Sequence, residues 1–527
     1  MRKKSCIIIM IVMLTMSTLS FPGEEIKQND APVNSFSNPE RLHSIQESID
    51  QSQAGWIAGY NTVFTKDYDY MVEYLGCNEV AFDQPGTDIG TTTSSSPSSF
   101  DWRDVDGLNY ITSIKNQASC GSCVAFGAVA ALEAVVQIES GVIFDCDLSE
   151  SHLFFCGGGS CGWGWWPDAA ADFILSVGVV DELCFPYEAH DLDCDQLQSN
   201  WKTRTISVES TGSTRENENI KEALLTYGPL LTTFNVYEDF SSYSSGIYEH
   251  VWGTLVGGHA VAIVGYNDNP GYWICKNSWG TGWGESGFFN IKYRSCGIDN
   301  KIYYFDGVHG NIQPTKPDNI SPTQGQRSLE TSILFEWSPS IDIDGGAVTY
   351  IIFLNEGYSI DFQAEPLIAG LSTNEFMVTG LKKNTRYTWQ LISEDEAGAQ
   401  HSSGPRSFIT KKPDAPLVTG PTKAKVDKQY TYTASILDAT GDEYYWYFQW
   451  GDQGTSGWLG PYSPGQQVSA NHIWKNTGNF TIKVKYTEGG VESEWGTLQV
   501  SMPYKSSYEL INHFLLRLRN RFLSLIY

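Results

Sequence analysis

The chain has 527 residues, enough for three or so domains, and its 61 acidic against 34 basic side chains leave a formal charge of −27. That balance excludes nucleic-acid or anionic-membrane binding by the surface as a whole, because phosphate affinity needs clustered Lys and Arg, and it serves solubility instead.

At the amino end Arg2, Lys3 and Lys4 precede an apolar run from Cys6 to about Leu19 and then Ser20-Phe21-Pro22. This is the layout of a signal peptide over residues 1–20 with cleavage near Ser20, an uncleaved anchor being the alternative. No later stretch reads as long and apolar enough to span a bilayer. Residues 21–98 show no sustained core pattern and end in Thr91-Thr92-Thr93-Ser94-Ser95-Ser96-Pro97, a cleavable linker by composition and the position of a propeptide.

Residues 99–308 hold three segments whose chemistry belongs together: Asn116 to Phe126 around Cys120-Gly121-Ser122-Cys123, Gly258 to Tyr266 around His259, and Lys276 to Gly284 around Asn277. A thiol needs to become a thiolate to attack a carbonyl. Cys123 opens a run, Val124 to Glu139, that predicts a helix stopped at Gly141, and a helix amino end favours negative charge. His259 can pair with the thiolate and protonate a leaving amine, and Asn277 can orient the imidazole.

Together these segments resemble the papain family of cysteine peptidases, in which His and Asn follow the nucleophile by roughly 130–150 residues. Here His259 follows Cys123 by 136 and Asn277 by 154. Phe100-Asp101-Trp102-Arg103 and Asp147-Leu148-Ser149-Glu150 are further family landmarks. One departure is visible: Val124 stands where the family has a large aromatic, which implies altered packing beside intact chemistry.

The resemblance implies an α+β papain-like two-lobed catalytic domain over residues 99–308. It makes Gln117 an oxyanion donor beside the Cys123 N–H, and Trp279 the cover of the His259–Asn277 pair. It places Trp166, Thr233 and Gly258 at the pocket for the side chain two residues before the scissile bond, with an apolar preference. It also implies disulfides Cys120–Cys161 and Cys156–Cys194. Eight cysteines besides Cys6, Cys77 and Cys123 allow 105 connectivities in an exported chain; completing the even set would pair Cys146 with Cys184 and Cys275 with Cys296.

Within residues 21–98, Ala54 to Asn61 and Tyr74-Leu75-Gly76-Cys77 look like the short propeptide of the cathepsin B branch, which lies through the cleft. The glycine-rich stretch from Cys156 to Pro167 occupies the place of the family's substrate-pairing loop. Trp163, Trp165 and Trp166 on it are candidates for a binding wall or ordinary core aromatics. No histidine-bearing insertion precedes Pro186-Tyr187, so the resemblance implies a cleft open at both ends and endopeptidase action.

Gln313-Pro314-Thr315-Lys316-Pro317 reads as a stiff linker within 309–317. The chain beyond it alternates strand-like runs with turns, predicting two all-β immunoglobulin-like sandwich domains. Residues 318–412 resemble a fibronectin type III domain, with Phe335-Glu336-Trp337, Val348 to Ile352 and a tyrosine-corner residue at Tyr387. Residues 413–503 resemble a PKD-like domain through Trp450-Gly451-Asp452-Gln453-Gly454, His472-Ile473-Trp474 and Gly478 to Ile482. Asp342-Ile343-Asp344-Gly345 is a calcium-loop candidate or a plain acidic turn. In the tail, 504–527, Leu510, Ile511, Phe514, Leu515, Leu518, Phe522 and Leu525 fall at helical spacing with Arg517, Arg519 and Arg521, a cationic amphipathic helix for a membrane surface or for docking on a sandwich.

The function these readings imply is an exported, zymogen-forming cysteine endopeptidase acting on protein or peptide substrates, secreted or at the cell surface, with no cofactor, no metal and no nucleic-acid partner. Its sandwiches would bind a cell-surface or glycan ligand. The alternative is a cell-surface adhesive or structural protein carrying an idle papain-like domain.

Overall fold

The computed structural model describes residues 38–66, 71–78, 96–436, 443–488, 490–502, 514–519 and 521. The segment read as a signal peptide and most of the cationic tail lie outside them; residues 514–519 are helical, with Phe514, Leu515, Leu516 and Leu518 exposed.

Contrary to the sequence reading, residues 21–98 do contribute to a core. Helix α1 (Asn38–Ser52) buries Leu42, Ile45 and Ile49. The stripe is too short to stand out in a polar stretch, and its apolar partner is supplied by the catalytic unit. Strand β1 (Trp56–Ala58) then pairs antiparallel with β6 (Tyr243–Tyr248), Trp56 opposite Gly246. The Trp56 ring meets Tyr248 edge-on at 5.2 Å. Both segments share one hydrophobic core with the catalytic unit.

That unit is built on a ten-stranded sheet. Its strands are β1, β2 (Ser99–Asp101), β3 (Val179–Val180), β4 (Thr205–Thr214), β5 (Leu230–Tyr237), β6, β7 (Leu255–Asn267), β8 (Tyr272–Lys276), β9 (Phe288–Lys292) and β10 (Ile302–Gly310). Their order is β1-β6-β9-β8-β7-β5-β10-β4-β3, with β2 on β7. Helix α2 (Cys123–Ser140) packs across β7 and is buried without a break from Cys123 to Gln137, so its apolar residues encircle it. By length and hydropathy it could cross a bilayer, which corrects the sequence reading, yet it lies inside the domain core. It stops at Gly141, whose φ of 66° a residue without Cβ adopts freely. Helices α3 (Glu150–Cys156), α4 (Pro167–Ser176) and α5 (Asn217–Tyr227) complete the unit.

Cys120–Cys161 and Cys156–Cys194 are disulfides. Cys146, Cys184, Cys275 and Cys296 are thiols, which corrects the two remaining pairings. Their surroundings differ: Cys146 faces Glu133 and Lys115, Cys184 faces Arg204 and Asp181, Cys275 faces Arg103, and Cys296 lies beside Asp239.

Two all-β sandwiches follow the catalytic unit. The first pairs a three-stranded with a six-stranded sheet around Phe335, Trp337, Trp389 and Phe408. The Tyr387 hydroxyl accepts from Lys382 N–H at 2.9 Å, closing a tyrosine corner. The second pairs three strands with five around Trp446, Trp450 and Trp474. Asp342 and Asp344 sit in a turn, where Asp344 accepts from Ile312 N–H.

The segment read as a spacer is instead clamped. Thr315 N–H donates to Ile341 O at 2.8 Å, and His401 Nδ1 lies 3.1 Å from Pro314 O. With its carboxamide donating to Asp147 O at 2.9 Å and accepting from Asp147 N at 3.0 Å, Gln313 ties the linker to the catalytic unit. Beside it, buried Arg204 bridges Asp181 and Gln198 of that unit to Gln400 of the first sandwich.

Candidate active site

Three elements converge on one cleft. Cys123 is the first residue of α2, His259 lies on β7, and Asn277 directly follows β8, the neighbour of β7. His259 Nε2 and Asn277 Oδ1 are 2.8 Å apart, while His259 Nδ1 is buried with no hydrogen-bond partner. Trp279, 1% exposed, lies over the imidazole at 4.9 Å between centroids, so the pair is shielded from water.

Gln117 is fully buried and held from both ends. Its Oε1 accepts from Ser278 Oγ at 2.6 Å, its N–H donates to Ser278 O, and Tyr187 OH donates to its carbonyl. That leaves Nε2 facing the cleft, where it donates to Cys120 O at 2.9 Å and Tyr74 O at 3.0 Å.

The cleft is filled by the chain's own residues Tyr74–Asn78. Gly76 O accepts from Trp165 N–H at 2.7 Å, Cys77 N–H donates to Gly258 O at 3.2 Å, and Asn78 N–H donates to Trp165 O at 3.0 Å. The Tyr74 ring stands edge-on to Trp279 at 5.8 Å, and Leu75 packs on Gly257. Gly76 must lack a Cβ: one built there would fall 1.8 Å from Gly121 O. The Cys123 thiol lies within hydrogen-bonding reach of the Gly76 and Ala260 backbone.

This covering inverts the expected electrostatics. Burial pushes the Cys123 thiol up to about 11, outweighing the backbone groups that favour the thiolate. Burial likewise pushes His259 down to about 4, against the hydrogen bond its Nε2 donates to Asn277 Oδ1. With the pro-segment seated, the neutral thiol and neutral imidazole are the stable forms. The helix amino end does not prevail because the water that would solvate the ion pair is displaced.

Of the residues expected at the pocket, Gly258 touches the pro-segment directly, and Thr233 lies one strand away, opposite Ala260 on the β5–β7 ladder. Trp166 precedes α4 and is half exposed; Trp165 makes the backbone pairs and is itself buried against Phe154.

Sequence reasoning missed the support beneath the site. Lys115 bridges Glu133 (2.8 Å), Asp147 (2.8 Å) and Glu150 (3.0 Å). Glu133 also accepts from Thr112 Oγ1, which accepts in turn from Lys276 Nζ at 2.8 Å. Glu133 sits on the helix that begins at Cys123 and Lys276 precedes Asn277, so this network joins the elements bearing Cys123 and Asn277. An acidic residue in an otherwise apolar helix was the available signal.

The sequence profile described as papain family cysteine protease matches residues 96–305. The chain is 32% identical over 300 residues to the cathepsin B-like CP3 of Giardia intestinalis, across 51% of this chain and 94% of that protein. Among solved structures, procathepsin B S9 from Trypanosoma congolense aligns at 23% identity and a TM-score of 0.44, covering 50% of this chain and 97% of that one. The PKD domain of an M14-like peptidase from a Thermoplasmatales archaeon aligns at 39% identity and a TM-score of 0.17, covering 18% and 98%.

Proposed function

Since the chain belongs to the papain family of cysteine proteases, we propose that it is an exported endopeptidase kept latent by residues 21–98 and acting through Cys123, His259, Asn277 and Gln117. The observation that carries this reading is the cleft itself, in which the nucleophile's helix, the imidazole–amide pair and a buried amide donor face one peptide strand of the chain's own.

Removal of the pro-segment readmits water and lets the thiolate–imidazolium pair form. The thiolate sulfur attacks the scissile carbonyl carbon, and the oxygen takes the negative charge between Gln117 Nε2 and the Cys123 N–H. Collapse of this adduct breaks the C–N bond, and His259 gives its proton to the departing amine. Water then attacks the thioester, with His259 as base, releasing the acid and restoring the thiol. Thr233, Gly258 and Trp166 border the pocket for the second residue before the scissile bond, which prefers an apolar group.

The domain limits proposed are 21–98 for the propeptide, 99–308 for the peptidase, 318–412 and 413–503 for the sandwiches, and 504–527 for the tail. Export rests on the layout of residues 1–20, with two disulfides in keeping. The sandwiches are proposed to hold the enzyme at a cell surface, glycan or substrate. The exposed apolar side chains of Phe514–Leu518 support membrane contact by the tail; equal vesicle sedimentation of full-length and tail-deleted protein would exclude it.

The test of the reading is labelling by a thiol-directed epoxide before and after acid activation. Labelling of Cys123 only in processed protein, with peptide hydrolysis lost in Cys123→Ala, is the expected result. Processed, folded protein that neither labels nor hydrolyses refutes it and favours the idle, adhesive alternative.

A further inference from the structure

Gln313 lies beyond residues 96–305, the span shared with the papain family, yet it is 1% exposed and spends both polar atoms of its side chain on one backbone unit of the catalytic domain. Its carboxamide donates to Asp147 O at 2.9 Å and accepts from Asp147 N–H at 3.0 Å. The residues on either side of it are fastened to the first sandwich. Asn311 Nδ2 donates to Asp395 Oδ2 at 2.8 Å and Ile312 N–H to Asp344 Oδ2 at 2.6 Å, while Thr315 O accepts from Ser393 Oγ at 3.1 Å and Thr315 Oγ1 from Ile341 N–H at 2.8 Å. Gln313 therefore moves with the sandwich, and a buried pair of bonds of this kind is costly to break from one side only.

Asp147 is also where the support beneath the cleft begins. Its carboxylate accepts from Lys115 Nζ at 2.8 Å, and the carbonyl of the next residue, Leu148, accepts from the same ammonium at 3.1 Å. Lys115 stands two residues before Gln117. Its own carbonyl accepts from Gly280 N–H at 3.1 Å, on the segment whose Ser278 binds both the N–H and the Oε1 of Gln117. A second branch leaves Leu148 N–H, which donates to Glu133 Oε1 at 3.0 Å, and enters the helix of Cys123 near its middle. The first branch is the shorter, and it ends on the amide proposed as the oxyanion donor. Such a donor stabilises developing charge only if it is fixed beforehand.

We propose that Gln313 is a positioning residue for turnover: docked with the first sandwich, it fixes Asp147 and, through Lys115, the Gln117 segment, so that the sandwich sets the alignment of the oxyanion donor. This rests on the peptidase reading above and adds to it a dependence of the catalytic unit on its neighbour.

The experiment compares processed protein that keeps both sandwiches as wild type, Gln313→Leu, Gln117→Ala and the double variant, with Asn311→Ala as a junction variant whose side chain bonds Asp395 instead of Asp147. Gln313→Leu nearly keeps the volume and removes both bonds. It is expected to lower kcat about tenfold with KM within about twofold, since a small misplacement of a catalytic group is costly. In the Gln117→Ala background the same change should lower kcat about twofold or less, because two residues that act through one group are not additive. Asn311→Ala should lower the urea midpoint while kcat stays within about twofold of wild type. Equal losses of kcat in both backgrounds, no loss in the wild-type background, or a loss in Asn311→Ala as large as in Gln313→Leu overturns the proposal. Should Gln313→Leu fail to fold, Gln313→Glu, which still accepts from Asp147 N–H, is measured in the same two backgrounds, with a loss of about three- to fivefold expected only where Gln117 is present. Failure of the peptidase reading shows separately, as no turnover and no epoxide labelling at Cys123 in wild type.

Discussion

Gln117 Nε2 donates to the Tyr74 carbonyl at 3.0 Å. The donor proposed for a developing oxyanion is therefore occupied by a carbonyl of the pro-segment, and latency and chemistry share one amide. Gln117→Ala in processed protein is expected to lower kcat about 10²–10³-fold with KM nearly unchanged, because the amide matters most when charge builds on oxygen. A rise in KM at constant kcat would assign Gln117 to ground-state binding instead.

Gly76→Ala should weaken latency. Its new methyl would meet Gly121 O at 1.8 Å, backbone against backbone, with no flexible side chain to yield. The hydrolysis rate of unprocessed protein is expected to rise about tenfold, within the range of an overpacking cost of about 1–3 kcal/mol. Unchanged latency would show that Gly76 does not hold the strand in the cleft.

Cys123 should respond differently to pH in the two forms. With the thiol pushed up to about 11 and His259 down to about 4, alkylation of the intact zymogen near neutrality is expected to be slow and to quicken as pH rises. After processing, alkylation should be fast already at mildly acid pH, since the thiolate is then paired with an imidazolium. Stopped-time alkylation across pH 4–10 reads both; coincident profiles would contradict the covering argument.

Glu150 carries a stability signature of definite sign. Burial pushes its carboxyl up to about 7 from 4.5, so the folded state binds its proton more tightly than the unfolded chain does. The resulting penalty is full above about 7 and fades as pH falls toward 4.5. His152 and His259, both pushed down to about 4 by burial, act oppositely in the same window. Comparing wild type with Glu150→Gln isolates the carboxyl. Urea midpoints should show wild type gaining stability relative to the variant between pH 7 and pH 5, and parallel curves would refute it.

Arg204→Met should destabilise the junction with the first sandwich. It strands the buried Asp181 carboxylate, which accepts two of the guanidinium's bonds, and removes the contact to Gln400. Leaving one member of a buried pair costs about 3–5 kcal/mol, and Arg204→Met with Asp181→Asn should recover much of it. Chemical denaturation of the three proteins provides the check; a loss below about 1 kcal/mol would place the pair among weak surface bridges.

How much of this was legible in the sequence depended on the range of the interactions. Cys123, His259, Asn277 and Gln117 could be picked out as candidates because their residue types and immediate flanks resemble those of the papain family, and the structure brings all four to one cleft. The helix from Cys123 and its stop at Gly141 arise from local apolar runs and backbone freedom, which a sequence displays directly. Tyr387 was readable for the same reason, its partner Lys382 N–H lying five residues away.

Only tertiary structure decided what long-range packing controls. The stripe of α1 has no meaning until the shared core covers it, nor the strand at Trp56 until β6 supplies its partner. The thiols of Cys146, Cys184, Cys275 and Cys296 stay apart because the fold sends them to different surroundings, which an even count cannot reveal. The linker at Gln313 is clamped because Asp147, far away in sequence, meets it. Above all, an isolated helix amino end lowers a thiol's pKa, whereas this one is raised, because a distant strand of the same chain excludes the water on which the charge depends.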